Sequence, residues 1–365
     1  MSKGSLRLVQ LTHPRYHRQV ALVSEPVLLL LQDTPSIYDL ALEAIRLGKK
    51  SLRELVDSRL QGERLEYSPV YEGRSEWKLL PSFDHPQNPF ACIVSGTGLT
   101  HKNSALNRQM MHQAAAGGGA AGSGAAGVPP AGSGAASSAP PAAPVTDSMR
   151  MYQWGIDGGF PPNGTIGTQP EWFYKGNGHL LKAHGEPLLV PAYGNDGGEE
   201  PEIAGAYIVD ETGYPWRIGF TTANEFSDHV MEKKNYLYLA PSKLRTCSIG
   251  PELVVDEAFA GLTGTVKIFR KGEAVWAAPV HTGESNMAHS LANLEYHHFK
   301  YDLHRMPLQA HVHFFGADAF SFGNQVMLEQ GDIMEVYWEG MGRALRNPLQ
   351  VDSGKEEWIG VRSLK

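Results

Sequence analysis

Cysteine is scarce in this chain of 365 residues, which carries only Cys92 and Cys247. Two cysteines so far apart do not make a disulfide framework, and they favour a reducing compartment. Clusters of basic residues are also missing: 32 Lys and Arg stand against 39 Asp and Glu, a formal charge of −7 spread along the sequence. The sequence has no Lys/Arg patch that could follow a phosphate backbone, so we do not expect a nucleic-acid partner.

Long apolar runs are missing as well. The longest run near the N-terminus, Val27–Leu31, is too short to span a bilayer, and Met1-Ser-Lys-Gly lacks the pattern of a signal peptide. We therefore expect a cytoplasmic protein that does not enter membranes. The chain also shows neither βαβ alternation nor a glycine fingerprint for dinucleotides or nucleoside triphosphates.

The remaining composition, 42% hydrophobic, is that of a folded protein too long for one ordinary core. Residues 1–82 predict a small N-terminal α+β domain, with strands at Leu6–Leu11 and Val20–Leu31, a helix from Thr34 to Gly48 and a second between Ser51 and Gly62. Residues 83–365 follow a proline-rich junction. Within them, the Ala/Gly/Pro-rich stretch 114–145 predicts a flexible surface loop.

Beyond residue 171 the pattern turns strongly to β. One helix is expected near Met287–Phe299, and Lys271-Gly272 is typical of a hairpin turn. This distribution predicts a rolled or barrel-like mixed β domain. The expected strands are Leu188–Pro191, Glu202–Asp210, Pro215–Thr222, Glu252–Asp256, Gly264–Arg270, Ala274–Pro279, Ala310–Phe315, Gln325–Leu328 and Ile333–Trp338.

Three carboxylates mark the candidate site. Glu200 and Glu202 are two residues apart at the start of a predicted strand, so their side chains point the same way, and Glu225 follows the next apolar run. Like charges this close require a shared proton or a cation, and oxygen ligands without cysteine suit Mg²⁺ or Mn²⁺. The alternative is that Glu199, Glu200 and Glu202 form a solvated acidic turn.

A second candidate element follows the predicted strand Ala91–Val94. The Gly-rich stretch Ser95–His101 is expected to be a turn that brings backbone N–H groups close to a ligand. His101 at its end is a candidate general base, although a histidine after a loop is more often a surface residue.

Four motifs in this order resemble the fumarylacetoacetate hydrolase superfamily. Its E-x-E-L-A strand is matched by Glu200-Pro-Glu-Ile-Ala204, and its G-Y-T-x-x-N-D-x-S-A-R-D motif by the segment from Gly219 to Val230. The family's lysine and C-P-L-G-P correspond to Lys243 to Pro251, and its C-terminal G-D-V-V-E-V motif falls within Leu328 to Pro348. The resemblance implies an α+β protein with a mixed β-roll or pseudo-barrel, a bound Mg²⁺ or similar ion, a 2-oxoacid substrate, and a homodimer or higher homo-oligomer.

The same resemblance implies roles for individual residues. Glu200, Glu202 and Glu225 would be the metal ligands, with Glu225 replacing the usual Asp. The remaining implied site residues are listed here together: His101, Lys243, Asp228 and His229 as catalytic groups, and Ser95, Thr97, Lys243, Gly316 and Ala317 as substrate contacts. Two departures from the family pattern, Asp228-His229-Val230 for A-R-D and Phe315-Gly316-Ala317 for T-G-T, indicate altered chemistry.

Three features are similar to the sugar-acid branch of this superfamily: the segment Glu171–Gly178, the third glutamate, and the segment His311–Gly316. That branch dehydrates 2-keto-3-deoxy-pentonates to 2,5-dioxopentanoate through a metal-stabilised enolate, in sugar-acid and pentose degradation. His101 is then the expected base, with Lys243 as the alternative base or as an electrostatic partner of the substrate.

Other functions stay open at this point. The same metal site would also suit a hydrolase that cleaves the C–C bond of an acylpyruvate. His311 and His313 share a strand face and would suit a cupin-like metal site. A sugar-acid binding protein without turnover, and a Schiff-base dehydratase using Lys243 or Lys175, complete the alternatives.

Overall fold

The computed structural model describes residues 5–48, 51–117, 145–255 and 258–364, so most of the predicted loop at 114–145 lies outside the described residues. The strands are β1 (Leu6–His13), β2 (His17–Ser24), β3 (Val27–Leu31), β4 (Leu60–Glu66), β5 (Lys78–Leu79), β6 (Cys92–Gly98), β7 (Glu171–Asn177), β8 (Leu181–Lys182), β9 (Leu188–Val190), β10 (Pro201–Val209), β11 (Pro215–Asn224), β12 (Cys247–Val255), β13 (Leu262–Arg270), β14 (Glu273–Thr282), β15 (Ala310–Phe314), β16 (Ile333–Trp338) and β17 (Leu345–Val351). The α-helices are α1 (Ile37–Arg46), α2 (Arg53–Ser58), α3 (Tyr67–Tyr71), α4 (Lys102–Gly117), α5 (Asp147–Gly158), α6 (His229–Lys234), α7 (Leu239–Lys243) and α8 (Leu291–Phe299). Short 3-10 turns lie at Pro89–Ala91, Gly178–Leu180, Tyr236–Tyr238, Glu284–Asn286, Asp302–Arg305 and Ser321–Asn324.

Twelve of these strands form one large mixed sheet. Its order is β4-β3-β2-β1-β12-β11-β10-β15-β6-β7, with β5 beside β1 and β8 beside β12. A second sheet has the order β14-β13-β16-β17-β9. Within the described residues the larger sheet ends at β4 and β7, so the roll stays open and does not close into a barrel. The predicted α+β class with a mixed β-roll is confirmed.

The central strand β10 is buried along its whole length because both faces of the large sheet are covered. Ala204 and Ala206 belong to the core beneath α1 and α2, whereas Ile203 and Tyr207 pack in the core against the second sheet and α8. This alternation follows from the period of two in a strand. A fully covered strand reads as a continuous apolar run, which is why β10 is evident in the sequence.

The N-terminal strands join the large sheet directly. β1 pairs antiparallel with β12, with Leu6 opposite Val255, so residues before the proline-rich junction extend the same sheet. The predicted division at residue 82 stays a prediction. Helix α1 begins as expected: the Ser36 side chain caps it by accepting a hydrogen bond of 2.9 Å from the Asp39 backbone N–H.

One local prediction in this unit is wrong. Val20–Leu31 forms two strands, β2 and β3, because the chain turns at Glu25-Pro26 and proline cannot donate to a strand ladder. The second helix lies within its predicted bounds, at Arg53–Ser58, and the residues that follow it form β4, which pairs with β3.

Other local predictions in the β-rich part also differ from the structure. Gln325–Leu328 forms no strand, and β7 and β17 were not expected. The strand β6 continues to Gly98, so most of the expected Gly-rich turn is extended backbone. No helix in the described ranges is long and apolar enough to cross a membrane. The predicted cytoplasmic location and homo-oligomer stay predictions.

Candidate active site at the start of β10

The three predicted metal ligands come together where β10 begins and β11 ends. In the antiparallel ladder Glu202 lies opposite Ala223, and the backbone N–H of Glu225 donates to the Glu200 carbonyl at 3.0 Å. One carboxylate oxygen from each glutamate lies within 4.8 Å of the others. Glu200 is 8% exposed, Glu202 1% and Glu225 0%. The alternative of a solvated acidic turn is therefore wrong.

The electrostatics of these carboxylates follow from their burial. Burial and then the charges of Glu225 and Glu200 raise the pKa of Glu202 well above its usual range. Burial and the Glu200 carboxylate raise the pKa of Glu225 to about 7. Burial alone would also raise the pKa of Glu200, but the charge of Lys243 and the hydrogen bond from His229 hold it well below its usual range. The cluster therefore has a deficit of positive charge at Glu202.

Two buried lysines compensate part of this charge. The Nζ atom of Lys243 lies 2.7 and 2.9 Å from the two oxygens of Glu200 and 2.9 Å from Oε2 of Glu225. The Nζ atom of Lys175 lies 2.9 Å from Oε1 of Glu225 and donates to the carbonyls of Phe226 and Lys243. Burial alone lowers the pKa of Lys243, but Glu200 and Glu225 raise it above its usual range. Both lysines are ion-paired ammonium groups, which disfavours a Schiff base at either one.

The residues that replace the family's A-R-D element have two different placements. His229 lies at the site: its Nε2 atom donates to Oε1 of Glu200 at 3.0 Å, and its ring stacks on Phe320. Burial alone lowers the pKa of His229, but Glu200 raises it above its usual value. Asp228 instead caps helix α6 by accepting from the Met231 N–H at 2.8 Å, and it pairs with Arg245 at 2.8 Å. The structure does not bring Asp228 into contact with the glutamates.

The turn after β15 reaches the cluster through its backbone. The Gly316 N–H donates to Oε2 of Glu202 at 2.6 Å. Gly316 has φ +99°, and an added Cβ would lie 2.0 Å from Oγ1 of Thr100, so glycine is required there on both counts. Ala317 is buried beside Phe320.

His101 lies behind this turn rather than against the glutamates. The Thr100 hydroxyl donates to the Phe315 carbonyl at 2.8 Å, so it accepts from Nδ1 of His101 at 2.9 Å, and Nε2 lies 3.1 Å from Oγ1 of Thr282. Burial lowers the pKa of His101 to about 4, which keeps the ring neutral near pH 7. Its predicted role as a base stays a prediction.

Ser95 and Thr97 face the other side of the large sheet. Oγ of Ser95 lies 2.9 Å from Nδ1 of His313, and Oγ1 of Thr97 lies 2.8 Å from Nε2. His313 is opposite Gly205 on β10, whose neighbours on that face are Ile203 and Tyr207 rather than Glu202. The structure therefore does not bring Ser95 or Thr97 to the glutamates.

Glycines 96 and 98 alternate with these hydroxyls on the opposite face. An added Cβ on Gly96 would lie 2.6 Å from the Phe173 ring, and one on Gly98 would lie 1.9 Å from Oε2 of Glu171. Because Gly96 and Gly98 leave one face of β6 without side chains, Phe173 and Glu171 of β7 can lie on the same side as the glutamates. The Phe173 ring contacts the Lys243 ammonium, 4.9 Å from its centroid.

This contribution of β7 was not predicted from the sequence, and neither was Arg108 as the partner of Glu171. Nη1 of Arg108 lies 2.7 Å from both oxygens of Glu171, and Nε lies 2.7 Å from Glu232. The Ser-Gly-Thr-Gly alternation of residues 95–98 was the available signal, because it leaves one strand face without side chains.

The donor set fits a hard divalent cation. Three buried carboxylates without sulfur or imidazole are the ligands that Mg²⁺ and Mn²⁺ take, and they leave one carboxylate short of a positive partner. Across the described residues, no other group of three or more His, Cys, Asp or Glu side chains has the spacing of a metal site. The ring nitrogens of His313 bind hydroxyls and Nδ1 of His311 binds His298, which disfavours the cupin-like alternative.

Comparison with solved structures agrees with this architecture. The structure of 2-keto-3-deoxy-D-arabinonate dehydratase complexed with magnesium and 2,5-dioxopentanoate aligns with a TM-score of 0.62 at 18% identity, over 95% of this chain and 99% of that one. This chain has the fumarylacetoacetate hydrolase fold. A second structure with this fold, 2-hydroxyhepta-2,4-diene-1,7-dioate isomerase from Mycobacterium marinum, aligns with a TM-score of 0.54 at 14% identity, over 96% and 100% of the two chains.

At these identities the likeness extends to the fold. No protein-family model matches the chain, and no curated protein matches it by sequence. The fumarylacetoacetate hydrolase fold places the start of β10 at the centre of the large sheet, between β11 and β15. Any activity at the start of β10 therefore depends on the side chains gathered there.

Proposed function

We propose that this protein is a divalent-metal-dependent dehydratase of a 2-keto-3-deoxy sugar acid, a pentonate, giving 2,5-dioxopentanoate. The observation that carries the proposal is the buried set of Glu200, Glu202 and Glu225 with the Lys243 ammonium in contact with two of them. The shared fold with a dehydratase solved with magnesium and this product supports it.

Glu200, Glu202 and Glu225 would hold the ion, Mg²⁺ or Mn²⁺. When bound, the ion polarises the carbonyl of a 2-oxoacid and makes the protons on the adjacent C3 more acidic. Gly316 fixes Glu202, and Lys175 fixes Glu225, so two of the three carboxylates are oriented by groups outside the ligand set.

Lys243 would orient the substrate carboxylate. Its raised pKa keeps it a cation, so it supplies charge and hydrogen bonds rather than a lone pair. Its contact with Phe173 limits the positions of the ammonium. A base role for Lys243 is thereby disfavoured.

His229 is the better placed of the two histidines for proton transfer at the glutamates. It donates to Glu200, and this contact raises its pKa above the usual value against the effect of burial, which favours the protonated ring. In the reaction the C3 proton and the C4 hydroxyl leave as one water molecule, and the unsaturated acid rearranges to the C5 aldehyde. His229 would protonate the departing hydroxyl. His101 is neutral and lies behind the turn that contains Gly316, and it stays the predicted base.

The first test is the product. Metal-stripped protein is incubated with a 2-keto-3-deoxy-pentonate with and without Mg²⁺, and the products are identified by mass. We expect Mg²⁺-dependent 2,5-dioxopentanoate. Pyruvate with a two-carbon aldehyde would instead indicate C–C cleavage, and an unchanged substrate would contradict the proposal.

A matched pair of variants tests the ligand set independently of turnover. At 100 times its Kd, Mn²⁺ should stabilise the wild type by about 2.7 kcal/mol, measured by unfolding with and without the ion. Glu202→Gln should lose this stabilisation and most activity. Glu199→Gln, three residues earlier in the chain, should keep both, because the Glu199 carboxylate accepts hydrogen bonds from Ser321 instead. Full Mn²⁺ stabilisation in Glu202→Gln would refute the site.

A further inference from the structure

A cavity of about 480 Å³ between α4, α5, β7 and α6 has the ion-paired Arg108 in its wall. Leu99, Arg108, Glu171, Glu232 and Ser148 are among its lining residues. Arg108 is 8% exposed and Glu232 2% exposed, so the charged part of this wall is buried.

Arg108 is already neutralised by its neighbours. Its Nη1 atom donates to both oxygens of Glu171, and its Nε atom pairs with Glu232. Burial alone would lower the pKa of Arg108, but Glu171 and Glu232 raise it above its usual range. One cation between two carboxylates leaves a formal charge of −1, so this wall is unsuited to bind a second carboxylate of a substrate.

Solvent-exposed charges lie at the rim of the same cavity. Lys233, Lys234 and Asp147 line it and are exposed, and Asp147 is paired with Arg150. Water and salt screen such exposed charges much more than the buried carboxylates. The buried groups therefore decide which chemical group is accepted at the bottom of the cavity.

The cavity wall is continuous with the proposed metal site along two elements. Glu232 lies three residues after His229 in α6, on the same side of the helix. Glu171 lies two residues before Phe173 in β7, and the Phe173 ring contacts the Lys243 ammonium. These two elements therefore link the cavity wall to the groups around Glu200 and Lys243.

We propose that this cavity binds the hydroxyl-bearing end of the sugar acid, with Glu171 and Glu232 as hydroxyl acceptors and Arg108 as the positioning residue that holds both. The inference rests on the proposed function, and it adds the specificity for a neutral, hydroxylated tail. Carboxylates are strong acceptors for hydroxyl groups in a site with little water. A plain alkyl tail leaves them without that partner and binds more weakly.

Two ligands that differ by one hydroxyl test this proposal without turnover. Neither 5-hydroxy-2-oxopentanoate nor 2-oxopentanoate has a C4 hydroxyl to lose, so calorimetry with Mn²⁺-loaded protein measures binding alone. We expect the wild type to bind the hydroxylated compound at least tenfold more tightly. In Glu232→Gln this ratio should fall to about twofold or less, with the Kd of 2-oxopentanoate changed less than about twofold.

Glu211→Gln is the control, because Glu211 is also paired with an arginine, Arg46, but lies on the surface and outside the cavity lining. It should keep the wild-type ratio. If Glu232→Gln does not fold by thermal melting, Glu171→Gln serves for the same comparison. Equal affinity of the wild type for the two compounds, or an equal loss of both in the variant, would overturn the proposal. Failure of the dehydratase assignment appears separately, in the product analysis.

Discussion

Each face of the large sheet carries a buried polar cluster, and the two clusters compensate the burial of polar groups in different ways. On one face lies the glutamate–lysine cluster, which consists of Glu200, Glu202, Glu225, Lys175 and Lys243. On the other lies the histidine cluster, which consists of His298, His304, His311 and His313. The first is built from formal charges that pair with each other, whereas in the second burial lowers the pKa of His298, His311 and His313, so these three rings stay neutral.

Burial lowers the pKa of His298 and His311 in the histidine cluster, and hydrogen bonds fix the tautomers of these two rings. The Trp172 N–H donates to Nδ1 of His298 at 3.3 Å, so Nε2 of His298 carries the proton and donates to Nδ1 of His311 at 3.0 Å. The proton of His311 is then on Nε2, which has no hydrogen-bond partner among the described residues. A chain of donors in one direction needs no charge, whereas the glutamates need cations. The difference indicates that only the first cluster has a use for an ion.

Removal of a buried cation should have the largest effect on this comparison. Lys175 is fully buried, and Lys175→Met would remove the ammonium that pairs with Oε1 of Glu225 and donates to the carbonyls of Phe226 and Lys243. We expect the free energy of unfolding to fall by about 3–5 kcal/mol, as measured by urea titration.

Lys267→Met is the matched control for that variant. Lys267 pairs with Glu335 at 3.2 Å but is 38% exposed, so its loss should cost about 1 kcal/mol or less. Similar losses in the two variants would show that the glutamate–lysine cluster does not depend on its buried cation.

Acid should act on the histidine cluster, with a smaller effect over the first pH unit below 6.5 than the loss of Lys175. Burial lowers the pKa of His311 to about 3, against an ordinary value of 6.5. The unfolded chain therefore takes up a proton at this ring below pH 6.5 while the folded protein does not, so stability is full above that pH and falls from 6.5 towards 3. Each such ring should cost about 1.4 kcal/mol per pH unit in this window.

His311→Gln tests this sign. The side chain of glutamine cannot take up a proton in the unfolded chain, so the fall in unfolding free energy between pH 6.5 and 5.5 should be about 1 kcal/mol smaller than in the wild type. His17→Gln is the control, because His17 is exposed and should leave the pH dependence unchanged. An identical pH dependence in His311→Gln would mean that this ring titrates equally in both states.

The part of the site that is formed by residues close in sequence could be predicted, whereas contacts between residues far apart in sequence could not. Glu200 and Glu202 are two residues apart in one strand, so their alignment is local, and Glu225 joined them through a strand pair that the apolar runs already indicated. Lys175 and Arg108 act through contacts with residues 50 and 63 positions away in sequence. No periodicity encodes such pairs, and without β7 in the predicted set neither Lys175 nor Glu171 had a strand to occupy.

The placement of Ser95 and Thr97 shows the opposite limit. Their spacing of two was visible, but which face of β6 they occupy depends on pairing with β15 and β7. A shift of one residue in the pairing register exchanges the two faces of a strand. With the observed register, Gly96 and Gly98 rather than the hydroxyls lie towards the glutamates. Local pattern alone leaves that choice open.

The smallest expected effect checks this choice of face. Thr97→Val removes a hydroxyl that binds His313 and keeps the shape of the side chain, so we expect a loss of about 1 kcal/mol in unfolding free energy. Because the Thr97 hydroxyl lies on the histidine face, the KM for the 2-keto-3-deoxy-pentonate should change less than about twofold. Ser95→Ala should behave alike, since the Ser95 hydroxyl binds the other nitrogen of the same ring. A rise in KM of tenfold or more with unchanged stability would instead place both hydroxyls at the substrate, and the two faces would no longer have separate tasks.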